Sequence, residues 1–341
     1  MVSIYYTVGP ASKHLTQEMF AAGAQGVRQT FSYGTPEIQL ELAQYIRTEL
    51  AQDGIKPFII ADLEGGGFRL GNFTGVGEGR PSIAVKKDEV IACRNSSEHN
   101  LLEGKVIPIP DIELFSKLQV RDVLIVGDGS AELHVIKIAP EVEVRNMFDG
   151  IIEGRRGLWR QSTFKTKEPV CLTQKDIIDL KHIAAHDEYN AVALSFVSSV
   201  EDIVQAREIM AENGVCKKII AKIETKTGLK NIDAICRNAD EIMVARGDLL
   251  LAVSWQCLAG AVERIVESAR RNRIPYIMAT QVAEGMMHGN HLTRAELCDL
   301  WHWKQNEVSG VLLSRETCWG ERPVATVDRV RKVLDQSAQY E

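Results

Sequence analysis

Short strand-like runs of apolar residues alternate with helix-like segments along most of this chain. Such alternation implies an α/β fold with parallel strands joined by crossover helices. The predicted strands span 3–8, 27–31, 57–63, 191–196, 218–223, 241–247, 275–280 and 310–314. The predicted helices span 16–24, 36–52, 173–186, 200–213, 228–238, 256–272, 293–304 and 324–336. Eight such pairs in about 250 residues predict a (β/α)8 TIM barrel. A doubly wound open sheet ranks second, since the first strand–helix turn lacks a G-x-G-x-x-G motif.

The alternation is interrupted once, after Arg69. Residues 72–161 contain no long amphipathic helix, and their short apolar runs are separated by Gly, Pro and charged residues. This pattern is typical of a small β domain. We therefore expect an all-β insert, a lid, after the third barrel strand. The predicted domains are 1–71 for the first part of the barrel, 72–161 for the lid and 162–341 for the second part.

Composition narrows the class of protein. The 341 residues are 45% hydrophobic and 25% charged, as in a globular protein with one large domain and a small insert. The net charge is −6 and no basic stripe occurs, so neither nucleic acid nor a membrane is an expected partner. No apolar run of about 18 residues and no signal peptide occur, so a cytoplasmic location is expected. The seven cysteines form no C-x-x-C pair and are expected to be reduced thiols.

The segment 218–248 contains more candidate functional side chains for its length than any other part of the chain. Lys222 and Glu224 are two residues apart in a predicted strand, so their side chains should share a face. Asp248 follows the next predicted strand, so its carboxylate should lie beside Glu224 at the carboxyl edge of a parallel sheet. Two carboxylates there suit a hard divalent cation, Mg²⁺ or Mn²⁺, with substrate oxygens and water completing the shell. A buried salt bridge with a helix N-cap explains the same spacing equally well.

Other predicted strands also end in charged or hydroxyl side chains. Buried charge is costly unless it is paired or bound to metal, so packing alone does not explain this set. The residues at the strand ends are Arg28, Ser32, Asp62, Ser195, Lys222, Glu224, Asp248, Thr280, Ser314 and Glu316. In a TIM barrel, residues at this edge form the active site.

Seven ordered motifs resemble the pyruvate kinase family. They lie at 7–12 (TVGPAS), 27–34 (VRQTFSYG), 221–224 (AKIE), 242–248 (IMVARGD), 278–281 (MATQ), 293–296 (TRAE) and 313–317 (LSRET). The resemblance spans the whole chain and includes a β-rich lid after the third strand. It implies that Glu224 and Asp248 ligate Mg²⁺ or Mn²⁺. It also implies that Lys222 neutralises charge on the transferring phosphoryl group and the enolate oxygen, while Arg28 holds the phosphoryl group.

The resemblance also assigns the substrate and nucleotide contacts. Backbone N–H groups after Ala245, including those of Gly247 and Asp248, would receive a substrate carboxylate. Thr280 would lie over the enolate face near the protonation site. The candidates for nucleotide binding are Arg69, Arg156 and Tyr33. Such roles fit phosphoryl transfer, which depends mostly on positioning and charge stabilisation.

This chain departs from the family motifs at several positions. Thr30 and Tyr33 stand where the family has Asn and His, and Leu63, Glu64 and Gly67 replace a hydroxyl residue, a lysine and a glutamate. The reversed charge at Glu64 lies near the expected phosphates. The remaining side-chain ligands expected for a monovalent cation are Ser32 and Asp62, so a K⁺ site is doubtful.

Further departures lie in the lid and at the end of the chain. Arg155 and Arg156 stand in place of a basic pair, and Arg315 replaces a glycine. The sequence stops at the final barrel helix, so the family's carboxy-terminal domain and its allosteric control are expected to be absent.

Three functions remain open from these residues. The first is a Mg²⁺-dependent phosphotransferase acting between a nucleotide and a phosphoenolpyruvate- or pyruvate-like small carboxylate. The second is a Mg²⁺-dependent lyase or aldolase that works through a pyruvate enolate, because the departures fall on the nucleotide half of the site. The third is a non-catalytic homologue. Barrel helices rich in Leu, Val and Trp make a homodimer plausible.

Overall fold

The computed structural model describes residues 1–75, 81–127, 129–161, 168–287 and 289–336. Its strands are β1 (Ser3–Thr7), β2 (Gly26–Thr30), β3 (Phe58–Asp62), β4 (Asn72–Thr74), β5 (Ser82–Val85), β6 (Val90–Arg94), β7 (Glu98–Asn100), β8 (Val106–Pro108), β9 (Val123–Val126), β10 (Ala131–Lys137), β11 (Val142–Asn146), β12 (Gly150–Glu153), β13 (Leu158–Gln161), β14 (Ala191–Leu194), β15 (Lys218–Ile223), β16 (Glu241–Ala245), β17 (Tyr276–Ala279) and β18 (Gly310–Leu313). Its α-helices are α1 (Thr16–Ala21), α2 (Pro36–Ala51), α3 (Ile112–Ser116), α4 (Gln174–Ala184), α5 (Val200–Asn213), α6 (Lys226–Lys230), α7 (Ile232–Cys236), α8 (Arg246–Val253), α9 (Leu258–Arg271), α10 (Arg294–Gln305), α11 (Arg315–Cys318) and α12 (Pro323–Asp335). Single 3₁₀ turns span Leu101–Glu103, Trp255–Cys257 and Glu284–Met286.

Eight parallel strands close into a barrel in the order β1, β18, β17, β16, β15, β14, β3, β2. This confirms the predicted TIM-barrel fold. The strands read as apolar runs because side chains fill the inside of the barrel and helices cover the outside. The inside of the barrel is packed by Tyr5, Ile60, Ala191, Ala193, Ile220, Met243, Ile277, Ala279 and Leu312.

Local signals in the sequence fix where several barrel helices begin. Capping boxes at Thr173, Ser199 and Thr293 precede α4, α5 and α10, and each satisfies N–H groups at the start of its helix. Among the described helices, none alone is both long and apolar enough to cross a membrane. Only α8 together with Trp255–Arg271 reaches that length and composition, across a bend of 116°.

Two predicted elements are wrong in the segment 218–248. The predicted strand 241–247 ends at Ala245, and the chain turns at once into α8, which the sequence pattern did not predict. The predicted helix 228–238 is two short helices, α6 and α7, separated at Asn231. The Asn231 side chain donates to the Ser198 carbonyl at 2.8 Å, which anchors the break to the preceding strand–helix unit.

The chain divides into two compact units, Met1–Gly66 with Val170–Glu341, and Gly67–Pro169. The predicted boundaries at 71/72 and 161/162 therefore differ from these. Leu70 packs in the core of the second unit, and Gly71 N–H donates to the Pro108 carbonyl at 2.9 Å. Within the barrel unit, Gly66 N–H donates to the Val170 carbonyl at 2.8 Å, where the chain leaves and returns.

The second unit, called the inserted domain below, has its own β core. Its described strands form a six-stranded sheet in the order β13, β9, β10, β11, β6, β8 and the pairs β12–β5 and β4–β7. Alternate residues such as Leu124, Val126, Leu133, Val135 and Val144 point into its core. The domain is not all β, since it contains α3. Asp111 is the N-cap of this helix, and its carboxylate accepts the Leu114 N–H at 2.6 Å.

Candidate active site at the carboxyl edge of the barrel

Lys222 lies near the end of β15 with its ammonium group buried among three acceptors. Nζ is 2.7 Å from Ser195 Oγ, 3.2 Å from Asp62 Oδ1 and 3.2 Å from Glu224 Oε1. An ammonium group has three N–H donors, so each of them finds an acceptor here. Burial disfavours the charged form, but the carboxylates of Asp62 and Glu224 outweigh it and hold the pKa of Lys222 above its ordinary value. The side chain is therefore a fixed positive charge.

Asp62, at the end of β3, joins Lys222 to Arg28. Its Oδ2 accepts a hydrogen bond from Arg28 Nε at 2.7 Å, while Oδ1 faces Lys222. Burial alone would raise the pKa of Asp62, but the two cations hold it below its ordinary value. Arg28 Nη1 also donates to Thr7 Oγ1 at 3.2 Å. We call Arg28, Asp62, Lys222 and Glu224 the charged cluster.

Members of the charged cluster differ in their access to solvent. The side chain of Arg28 is 19% exposed, that of Lys222 is 10% exposed, and those of Asp62 and Glu224 are nearly fully buried. The two cations are therefore more accessible to solvent than the carboxylates of Asp62 and Glu224. This order of exposure suits an anionic ligand.

Glu224 has a pKa raised to about 7. Burial is the largest cause, the Lys222 ammonium opposes it, and the nearby Asp248 carboxylate adds to it. Glu224 Oε2 accepts the Phe196 N–H at 2.8 Å. Phe196 itself has a left-handed backbone conformation with φ of 55°, which is uncommon for a bulky residue.

The donor set fits the predicted divalent cation. Three carboxylates, from Asp62, Glu224 and Asp248, accompany the two cations Arg28 and Lys222. Burial is the main reason that the pKa of Glu224 is raised, and a bound divalent cation would favour its ionised form. Mg²⁺ commonly uses one or two protein carboxylates and takes its other ligands from water and phosphate. Among the described residues, no three His, Cys, Asp or Glu side chains group closely enough to hold a metal unaided. Substrate oxygens and water would therefore complete the shell.

Asp248 lies in the first turn of α8 rather than directly after a strand. Ala245 is the N-cap of this helix, and Gly247 is its second residue. The first N–H groups of a helix have no carbonyl partner within it and form the positive end of its dipole. The N–H groups for which carboxylate binding is predicted thus lie at the start of a helix that the sequence pattern did not predict.

Thr280 follows β17 in a conformation that β-branched residues avoid. Its φ is 70°, and that of Gln281 is 53°. Each such residue costs about 1–3 kcal/mol and persists only where its surroundings enforce it. The guanidinium group of Arg246 supplies such surroundings, since Nε donates to the Ala279 carbonyl at 3.3 Å and Nη2 donates to those of Thr280 at 2.5 Å and Gln281 at 3.1 Å.

The ammonium group of a lysine side chain lies at the carboxyl end of β2. Lys175 Nζ donates to the Phe31 carbonyl at 2.5 Å and lies 3.9 Å from Glu64 Oε2. Ser32, the next residue after Phe31, is half-buried. Both carboxylate oxygens of Asp62 already face other members of the charged cluster. A monovalent cation at Ser32 and Asp62 would have to compete with these ammonium and guanidinium groups.

The nucleotide candidates fall in both units. Tyr33 belongs to the barrel unit and is 39% exposed after β2. Arg69 and Arg156 belong to the inserted domain, where Arg69 forms a β-bridge with Gly157 and Leu70 N–H donates to the Arg156 carbonyl at 2.9 Å. The structure thus brings the two arginine-bearing segments side by side.

Three contacts of the site were missed from the sequence. Ser195 was identified as a strand-end residue, but its contact with Lys222 was not predicted. The register of β14 and β15 pairs Leu194 with Ala221, so knowledge of the strand order would have placed Ser195 beside Lys222. Nothing in the local sequence indicated the contacts of Arg246 with the 279–281 carbonyls or of Lys175 with the Phe31 carbonyl, because these partners are distant in the chain.

Comparisons with known proteins agree on one family. A family model described as "Pyruvate kinase, barrel domain" matches residues 1–327. A pyruvate kinase from Agrobacterium vitis is 29% identical over 340 residues, 99% of this chain and 69% of that protein. Pyruvate kinases from Thermoplasma acidophilum and Methylorubrum extorquens are each 30% identical and cover 97% and 99% of this chain. This chain spans 57% of the length of the former and 69% of the length of the latter.

Proposed function

The chain belongs to the pyruvate kinase family, and on that premise we propose that it transfers a phosphoryl group between a nucleotide and an enolpyruvate-like carboxylate in a Mg²⁺-dependent reaction. The observation that carries this proposal is the buried Lys222 ammonium group, held by Ser195, Asp62 and Glu224. A fixed cation with Arg28 next to it suits a phosphoryl group, whose transfer depends on charge stabilisation.

In this reaction the bond between phosphorus and the enol oxygen breaks, and a bond from phosphorus to a terminal nucleotide oxygen forms. Arg28, the more exposed cation, holds the phosphoryl oxygens. Lys222 stabilises the negative charge that develops on the enol oxygen as that bond breaks. Because Asp62 contacts both cations, it fixes the position of one relative to the other.

Glu224 and Asp248 would hold the divalent cation, which supplies Lewis-acid charge at the substrate and phosphate oxygens when it is bound. The N–H groups at the start of α8 hold the substrate carboxylate. Thr280 lies at the end of the neighbouring strand, β17, where a proton must reach C3 of the enolate to give pyruvate.

A second candidate is a lyase that forms a pyruvate enolate at the same cluster and exchanges it with a carbonyl compound. Glu64, which follows β3, supports this alternative. Its carboxylate lies 3.9 Å from the Lys175 ammonium group. Because Glu64 stands where the family has a lysine, a positive charge that would attract nucleotide phosphates is missing, while the enolate half of the site is unaffected.

The first test mixes the purified chain with Mg²⁺, phosphoenolpyruvate and ADP without K⁺ and follows ATP and pyruvate by phosphorus and proton NMR. A parallel sample follows C3 proton exchange of pyruvate in D₂O, with and without ATP. ATP formation that is lost in Lys222→Ala and Asp248→Ala, but retained in the exposed control Lys181→Ala, supports phosphotransfer. Circular dichroism checks that the Lys222→Ala barrel is folded, since two buried carboxylates lose a partner.

The same experiment separates the alternatives. Pyruvate exchange that requires Asp248 but ignores nucleotide, with no ATP formed from phosphoenolpyruvate, would favour the lyase. A protein that is inactive in both assays, and stays inactive when K⁺ is added, would contradict both enzymatic functions and leave a non-catalytic homologue.

A further inference from the structure

Arg246, the first residue of α8, uses its guanidinium group to connect two segments of the carboxyl edge. Nε and Nη2 donate to the carbonyls of Ala279, Thr280 and Gln281, at 2.5–3.3 Å. Three consecutive carbonyls therefore converge on one side chain. This arrangement needs the planar fork of arginine, which presents several donors in fixed directions.

The turn that Arg246 holds is strained. Thr280 and Gln281 both have positive φ, at 70° and 53°, although neither is glycine. The left-handed conformation is especially unfavourable for threonine because of its branched Cβ. Without a partner for its carbonyls, such a turn would relax toward the common β or right-handed regions.

The guanidinium group is itself held from the opposite side. Nη1 donates to Asp299 Oδ2 at 2.9 Å, and the Arg246 guanidinium carbon lies 4.6 Å from the centre of the Trp303 ring. Both partners come from α10, so one helix fixes the arginine and the arginine fixes the turn. Burial lowers the pKa of Arg246, with Asp299 opposing it, and an arginine remains charged in proteins in any case.

We propose that Arg246 is a positioning residue for the reaction, holding the strained 279–281 turn so that Thr280 is placed correctly relative to the start of α8. This inference rests on the proposed function, in which α8 binds the substrate carboxylate and Thr280 lies near the enolate. In this role the Arg246 side chain acts through the turn, where its donors contact backbone carbonyls, rather than on the reacting atoms. The backbone of Arg246 begins α8, and its side chain binds the carbonyls of the 279–281 turn. Arg246 therefore sets the distance between α8 and this turn, the two segments proposed to bind substrate.

Arg246→Lys tests this proposal. Lysine keeps the charge near Asp299 and Trp303 but cannot reach three carbonyls at once. We expect kcat for ATP formation to fall by about 10- to 100-fold, the effect typical of misplaced catalytic groups. Binding of Mn²⁺, measured by electron paramagnetic resonance, should be unchanged because Glu224 and Asp248 are intact. Amide hydrogen exchange of the 279–287 segment should become faster.

The matched control is Arg264→Lys on α9. Arg264 is exposed and donates to the Lys230 carbonyl at 3.4 Å, away from the carboxyl edge. This variant makes the same substitution at another arginine that donates to a backbone carbonyl. It should leave kcat and the amide hydrogen exchange of 279–287 as they are in the wild-type protein.

A double-mutant cycle separates positioning from general stability. If Arg246 acts through Thr280, the Arg246→Lys change should lower kcat little further in a Thr280→Ala background. Full additivity of the two changes would overturn the proposal, as would unchanged hydrogen exchange of 279–287 in Arg246→Lys. A wild-type protein without ATP-forming or pyruvate-exchange activity would refute the proposed function and the positioning role with it, while the exchange rates would still show whether Arg246 holds the turn.

Discussion

Glu316 makes the stability of the barrel depend on pH. This residue of α11 is 1% exposed, and its Oε1 accepts the Ala283 N–H at 3.2 Å. Burial raises its pKa from 4.5 to about 7, because backbone hydrogen bonds, including that from Ala283, offset the burial only in part and the neighbouring Glu284 adds to it. The native state therefore keeps the Glu316 proton to a higher pH than the unfolded chain does.

The size and sign of the effect follow from these two pKa values. Each pH unit between them is worth about 1.4 kcal/mol, so Glu316 contributes about 3 kcal/mol in total. This contribution is fully present below about pH 4.5, is lost as the pH rises toward about 7, and is constant above that. Glu316→Gln mimics the protonated carboxyl group and removes the dependence.

The assay is urea unfolding from about pH 4.5 to about pH 8.5, followed by tryptophan fluorescence, without divalent cations. We expect the free energy of unfolding of the wild-type protein, minus that of Glu316→Gln, to fall by about 3 kcal/mol across this range. Glu208→Gln, at an exposed position on α5, should show no such trend. A difference between wild type and Glu316→Gln that stays constant with pH would refute the reasoning.

Three further predictions concern glycines and monovalent cations. Gly65 has φ of 69°, and a Cβ there would lie 2.7 Å from the Phe196 ring, whereas Gly54 has φ of 70° and nothing within 4 Å. Gly65→Ala should therefore lower the free energy of unfolding by about 1–3 kcal/mol more than Gly54→Ala, and equal losses in urea unfolding would contradict this. Gly260, in α9, also has nothing within 4 Å, so Gly260→Ala should stabilise the protein by about 0.5–1 kcal/mol, measured in the same way; a loss of stability would refute the expected helix gain. Replacing K⁺ by tetramethylammonium should leave the rate of ATP formation unchanged, because the Lys175 ammonium group already binds the Phe31 carbonyl, and a strict requirement for K⁺ would show that expectation to be wrong.

The barrel could be predicted from the sequence because each strand–helix pair carries its own local pattern. The strand 218–223 and the helix 200–213 have the predicted bounds, since apolar β-branched residues and a capping box mark them directly. The helix α8 was missed because 241–247 reads as one apolar run that ends in glycine. In the barrel, β16 pairs with β17 as far as Ala245, and α8 begins at the next residue.

The candidate site was predictable in its residue types but not in its contacts. Strand-end spacing identified Lys222, Glu224 and Asp62 as charged groups at one edge. The pairing of Arg28 with Asp62, and of Lys222 with Ser195, depends on which strands are neighbours, and that order is set by the closed barrel rather than by local sequence. The strained backbone of Thr280 could not be predicted for a related reason, since Arg246, which binds its carbonyl, lies 34 residues away in the chain.

The hydrogen bond between Gly66 and Val170 bears on how quickly the barrel can assemble. Strands β3 and β14 are neighbours in the barrel, yet the whole inserted domain separates them in sequence. The entropic cost of closing a flexible loop rises slowly, by about 0.6 kcal/mol for each doubling of length, and an insert with its own hydrophobic core is no longer flexible once it has folded. If the inserted domain folds first, its ends are already held near each other, and the pairing of β3 with β14 would then cost less entropy than its separation in sequence implies.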